Sequence, residues 1–172
     1  MLKPKSGEYN PYFDNYIQLV EAGDFMMRLN ENTALTADFF TNIPPSKHDW
    51  RYGPDKWTIK QILIHIIDAE RVFAYRLLVT ARGDNQTNLL PFDDESYVQN
   101  SRVENRTLTA LIEEFLIVRK STTVLFEQLS EEQSQFEGQS GQYKITPRAL
   151  GYIIIGHPLH HIQTIKVRYL DV

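Results

Sequence analysis

Five histidines, His48, His65, His157, His160 and His161, carry most of the chemistry open to this chain of 172 residues. Three of them crowd together near the end of the sequence. In a helix each residue turns about 100° from the last, so residues four apart share one face. His157 and His161 can therefore aim two imidazoles at one point, and His157 with His160 is the weaker alternative pair. His65 lies among Ile62, Leu63 and Ile66, on or beside an apolar stripe. Two core-facing histidines on one helix and a third on another point to a three-imidazole metal site. Three protein ligands with an open fourth position are the usual plan of a catalytic zinc centre, and imidazole also suits nickel, iron and copper. The competing reading makes each histidine a core or surface residue with a hydrogen-bond partner. That suffices for His65 alone, but the helical pair with a third core-facing imidazole favours the metal.

The neighbouring polar residues read more plainly. His48, in a polar loop beside Asp49, is expected to be solvated, and His160 to turn away from the focus of the pair. Asp68 and Glu70 could orient an imidazole or act as a base. Their place on a helix, with Glu70 next to Arg71, reads instead as surface charge. Asp93, Asp94 and Glu95 lack the spacing of a calcium loop and read as a solvated loop.

Other chemistries are excluded by what the sequence lacks. His-Glu-x-x-His is missing, and no histidine follows a glutamate by three residues, which removes zincin and di-iron carboxylate patterns. There is no Gly-x-Ser-x-Gly, no Walker A loop and no Gly-x-Gly-x-x-Gly. The chain has no cysteine, so any metal must be held by nitrogen and oxygen, and any thiol chemistry must use a thiol brought in from outside. With 18 Lys+Arg against 22 Asp+Glu, the net charge of −4 disfavours nucleic-acid binding. No apolar run reaches the roughly 20 residues of a membrane span, and no apolar stretch follows the first lysines. A cytoplasmic protein is the expectation, in which the Asn-x-Thr triplets at Asn85 and Asn105 carry no glycan.

The elements that must position these side chains are helical. A helix is expected over Asp24–Phe40, with a shorter piece over Asp14–Glu21. The next starts at Thr58, where Thr58 and Gln61 have the form of a capping box. Ile59, Ile62, Leu63, Ile66, Ala69 and Phe73 form its stripe, and Gly83 suits its end. The stretch from Asp84 to Asn105 reads as a surface crossover pinned by Phe92 and Tyr97, long enough to cover something. A third long helix begins at Thr107 and runs towards Leu129. Ser130 and Gln133 suggest a capped turn, and Gly138, Ser140 and Gly141 mark a loop. Thr146-Pro147 opens the last helix, in which Leu150, Ile153, Ile154, His157, His161 and Ile165 share a face. Strand signals are weak. The pattern predicts an all-α four-helix bundle, one domain over 1–172, with its longest connection between the second and third bundle helices.

Two stretches carry a family resemblance. Residues 56–76, KWTIKQILIHIIDAERVFAYR, resemble the second helix of DinB/YfiT-like proteins, and 149–161, ALGYIIIGHPLHH, resemble their last. Tyr16–Val20, Ala81–Asp84 and Pro91–Asp93 are similar too, in the right order. The resemblance implies a four-helix bundle with a divalent metal, zinc or nickel, on His65, His157 and His161. It implies a metal-dependent hydrolase or a thiol-dependent S-transferase or isomerase, a small-molecule substrate with a low-molecular-weight thiol as candidate, and a homodimer. The alternative is a non-catalytic, stress-associated dimeric bundle braced by the cluster. Pro158 departs from the family pattern. It removes a helical hydrogen bond between two proposed ligands, and a kink there would change the angle between them.

Overall fold

The computed structural model describes residues 1–170. Six α-helices are present among them: α1 (Asp14–Ile17), α2 (Phe25–Thr41), α3 (Ile59–Ala81), α4 (Asp94–Asn100), α5 (Leu108–Glu127) and α6 (Pro147–Ile165). The four long ones start where their caps demand. The Asp24 carboxylate accepts from Met27 N at 2.8 Å, Thr107 caps α5, and Thr146 caps α6 ahead of Pro147. Thr58 and Gln61 exchange reciprocal bonds of 3.2 and 2.8 Å, closing the capping box of α3. Gly83 follows α3 with φ +76°, a conformation open to glycine at little cost.

α2, α3, α5 and α6 form the bundle. α3 packs on α5 and α6, and α2 packs on the same two, so α2 and α3 face each other across one diagonal and α5 and α6 across the other. Two apolar clusters fix the helix directions. One holds Phe25 and Leu29 of α2, Phe73 and Leu77 of α3, Phe126 of α5 and Leu150 to Ile155 of α6. The other holds Phe40, Ile59 to Ile67, Leu108 to Phe115, and Ile165. α3 and α5 are therefore parallel neighbours, while α3 and α6 are antiparallel. A parallel pair needs a chain return along its length, on the order of 30 Å for helices this long. That return is the stretch between Arg82 and Thr107.

The return is more structured than its sequence suggests. It contains α4 and a 3₁₀ turn, Val103–Asn105. The acidic trio is not a solvated loop: Asp93 caps α4, Asp94 and Glu95 form its first turn, and Glu95 accepts from Trp57 Nε1 at 2.9 Å. Buried Leu89, Val98 and Val103 pin the segment, whereas Tyr97 is exposed and packs at a tilt against Phe92. Two further expectations give way. The early helix expected over Asp14–Glu21 is cut to α1, Asp14–Ile17, and a 3₁₀ turn, Pro11–Phe13, precedes it. The loop around Gly138 is a small antiparallel hairpin, Gly138–Ser140 with Tyr143–Ile145. Strands of three residues are too short to show the alternation by which a strand is read.

α1 lies against α6 because position 156 is glycine. A Cβ there would fall inside the van der Waals radius of the Tyr16 carbonyl. Gly156→Ala is expected to cost about 1–3 kcal/mol by overpacking, outweighing the roughly 1 kcal/mol that alanine contributes to helix propensity. A urea midpoint at or above that of the parent would contradict this. No helix among the described residues is long and apolar enough to cross a membrane.

Candidate metal centre

α3 and α6 meet along the bundle, and both carry histidines on the contact face. His65 sits in the second turn of α3, near the stretch of α6 that holds His157 and His161. The three Nε2 atoms converge. His157 Nε2 lies 3.0 Å from His65 Nε2 and 3.0 Å from His161 Nε2, and one nitrogen from each ring falls within 4.8 Å of the others. His65 and His157 are buried and His161 is half-buried.

This is a poor hydrogen-bond network and a good donor set. An imidazole nitrogen offers one lone pair or one hydrogen, so His157 Nε2 cannot make two good bonds at once. Three nitrogens around a tetrahedral zinc with bonds of 2.0–2.1 Å would stand about 3.3 Å apart, close to what is seen. Neutral imidazoles are the form that binds metal, and the site favours them. Burial lowers the His65 pKa to about 4, against a small opposing pull from Asp94. Burial also drives His157 and His161 well below the ordinary value, and the neighbouring imidazoles repel a second proton.

The sign of the pH dependence follows. In the unfolded chain these histidines take up protons near pH 6.5, whereas folded His65 resists until about pH 4. The unfolded state therefore binds more protons in that window, and the metal-free fold loses stability as pH falls below about 6.5. Each such histidine contributes a slope of up to about 1.4 kcal/mol per pH unit. Urea titrations in EDTA at pH 7.5, 6.0 and 5.0 should show this; identical midpoints would refute it.

Pro158 does not break the site. α6 runs through it, and the carbonyls that its missing N–H and crowding release find other donors. Arg119 Nη2 donates to Ile154 O at 3.3 Å, and Asn32 Nδ2 donates to Ile155 O at 3.1 Å. Arg119 also holds Glu70 bidentately, through Nε and Nη2 at 2.8 and 2.9 Å, and gives Nη1 to Asn32 and Thr33. All five guanidinium donors are thus used. Glu70 is consequently no surface charge. It is 2 % exposed, Arg119 is 1 % exposed, and the side-chain hydrogen bonds of both go to groups other than the imidazoles. Asp68 does behave as a helix-surface charge, paired with Arg71 at 2.9 Å. His48 is not free in solvent: it is half-buried, with Nε2 at 3.0 Å from Ile43 O, while Asp49 pairs with Lys60. His160 stays outside the cluster, with its ring against Tyr16.

Several residues at the centre carry no sequence signal of their own. The Trp57 indole packs on His65 with centroids 4.7 Å apart, and its bond to Glu95 ties α4 over that side. Tyr16 packs on His157 at 5.3 Å from across the Gly156 contact. A cleft of about 500 Å³ opens beside His65 and His157, walled by the α1 region, α3, the start of α4 and the hairpin. That volume suits a small organic molecule.

The DinB superfamily model matches residues 28–165. No curated protein matches. Among solved structures, YfiT from Bacillus subtilis, described as a probable metal-dependent hydrolase with an unusual four-helix bundle topology, is similar at TM-score 0.67 and 19% identity, over 96% of this chain and 92% of that one. A mycothiol-dependent maleylpyruvate isomerase is similar at TM-score 0.66 and 10% identity, over 84% of this chain but only 59% of that one. A DinB-like protein, YjoA, also from Bacillus subtilis, gives TM-score 0.60 and 19% identity over 87% and 91% of the two chains. At these identities the likeness is one of fold, an all-α helical bundle. The family match, spanning most of the sequence and all three converging histidines, shows that this chain belongs to the DinB superfamily.

Proposed function

We propose that His65, His157 and His161 hold a divalent transition metal, zinc or nickel, and that the protein is a metal-dependent enzyme acting on a small molecule. The observation that carries this reading is the convergence of three largely buried Nε2 atoms without other adequate partners. A metal held so would lower the pKa of a water or a cosubstrate thiol in its open position. The chain's own contribution is positional. The burial of α3 against α6 keeps the imidazoles neutral, and Trp57 limits water around His65. YfiT's description as a "probable metal-dependent hydrolase" supports the hydrolytic form, and the isomerase's dependence on mycothiol supports the thiol form. Since this chain has no cysteine, a thiol would arrive with a cosubstrate. One domain over 1–172, a homodimer and a cytoplasmic setting complete the proposal, and sedimentation equilibrium reads the oligomeric state.

The catalytic form is favoured over a bracing role because Arg119 and Glu70 already tie α5, α3 and α6 together without the cluster. Stripping the metal with EDTA is therefore expected to leave the helical circular dichroism at 25 °C unchanged. Only the mass-action term of ligand binding should be lost from the melting temperature. Collapse of the helical signal would favour the structural role. Elemental analysis of untagged protein tests the metal itself: about one equivalent of zinc or nickel is expected. Less than a tenth, with none retained after loading, would overturn the reading.

A further inference from the structure

The cleft beside the triad contains one lysine or arginine, Arg76. Arg76 is 6 % exposed, yet among the described residues no carboxylate lies within ion-pair distance of it. Its one protein acceptor is the carbonyl of Leu90, reached by Nη2 at 2.7 Å. Four of the five guanidinium N–H donors are left. The guanidinium nitrogens that lack a protein partner keep contact with solvent and are free to take an incoming acceptor, while burial of the side chain lowers even this arginine's pKa. The other two buried arginines are paired: Arg119 saturates its donors on Glu70 and its neighbours, and Arg148 is held by Glu8. The contrast marks Arg76 as a group awaiting an acceptor.

Its position says where that acceptor would come from. His65, Ala69, Phe73 and Arg76 all line the cleft, on one stripe of α3. Eleven residues separate His65 from Arg76, which is three turns with a residual rotation of about 20°. Side chains on a helix lean towards its N-terminus, so the guanidinium is carried back towards the histidines. Ala69 leaves room between them. The wall opposite and around is aromatic, from Tyr12, Phe13, Tyr16, Phe73, Phe92 and Tyr143.

We propose that Arg76 is the anion subsite of this cleft. Its ligand would be a monocarboxylate with an apolar or aromatic body, seated so that its other end faces the His65–His157–His161 cluster. The guanidinium fork matches a carboxylate bidentately. A monoanion is favoured over a phosphate dianion because Arg76 is the sole lysine or arginine of the lining and Asp94 shares it. This deepens the metal-enzyme reading by naming a substrate class, and rests on that reading only for the role of the cluster.

The test is binding, not turnover. Phenylacetate, 3-phenylpropionate and 4-phenylbutyrate, each against its neutral amide, are titrated by calorimetry into the full chain with zinc and again in EDTA. At least one acid should bind tenfold or more tighter than its amide. Arg76→Gln should erase that preference, leaving the amide's affinity within about twofold, and Arg76→Lys should restore part of it. If no acid is preferred over its amide, or if a folded Arg76→Gln chain keeps the preference, the proposal is wrong. If Arg76→Gln fails to fold, the acid-to-amide ratio in the parent and in Arg76→Lys decides by the same criterion. Preference in EDTA without metal retention would sink the metal reading and leave the anion subsite standing. Equal binding of acid and amide by a metal-loaded chain would do the reverse.

Discussion

Replacing Arg119 by alanine is expected to lower the unfolding free energy by about 3–5 kcal/mol. The side chain is 1 % exposed and makes a bidentate pair with Glu70. Its removal strands a carboxylate that is 2 % exposed. It also strands the Ile154 carbonyl, which Pro158 has already deprived of its helical partner. Water cannot readily reach either group. The double variant Glu70→Leu/Arg119→Met should recover part of the loss, because two desolvated charges go together. Recovery should stay incomplete, since Asn32 and the Ile154 carbonyl lose a partner in either case. Urea denaturation of the three chains reads both effects. A loss below 1 kcal/mol for Arg119→Ala would show that the layer is far wetter than its burial implies.

His157→Ala is expected to abolish retention of zinc and nickel. His157 Nε2 is the middle atom of the three, 3.0 Å from each of the others. Without it the remaining two nitrogens belong to residues on different helices and cannot chelate through one helical pair. Changes outside the ligand set commonly cost 10–100-fold in affinity, so loss of the central ligand should exceed about 100-fold. His160→Ala is the control, because its ring packs on Tyr16 outside the converging nitrogens. Competition against a chromophoric chelator separates the two variants. Equal affinity in both would remove His157 from the proposed ligand set.

Much of this architecture is legible residue by residue, and the reasons for the gaps are physical. The long helices announce themselves through local chemistry: Asp24, Thr58 with Gln61, Thr107 and Thr146 each cap the helix that follows. The convergence of His65, His157 and His161 follows from spacing plus apolar neighbours. Glu70 reads as surface charge from the sequence because its partner lies 49 residues away. A signal was nevertheless present. Glu70 follows Ile66 by four, and Arg119 follows Phe115 by four, so each charge sits on an apolar stripe where a surface residue would not. α4 was hidden in a segment whose acidic start looks solvated until Trp57 supplies a donor. Arg76 had no signal, since an arginine at that spacing is equally at home on a solvated face. Only the lack of a partner in three dimensions distinguishes it.

The two apolar clusters are divided by a polar seam. Asn32 falls between Leu29 and Phe40 on α2, Glu70 between Ile67 and Phe73 on α3, and Arg119 between Phe115 and Phe126 on α5. Greasy surfaces alone tolerate sliding, because one aliphatic contact replaces another. Here a slip of α3 or α5 by one turn, about 5.4 Å, would drag a charge into aliphatic surroundings and leave its partner bare. The seam therefore works as a vernier for the bundle. It lies about one turn beyond His65 on α3 and, through the Ile154 carbonyl, one turn before His157 on α6. A slip of α3 that unpaired Glu70 would also pull the His65 nitrogen from those of His157 and His161 to well beyond bonding reach, so longitudinal alignment of α3 and assembly of the centre are one event.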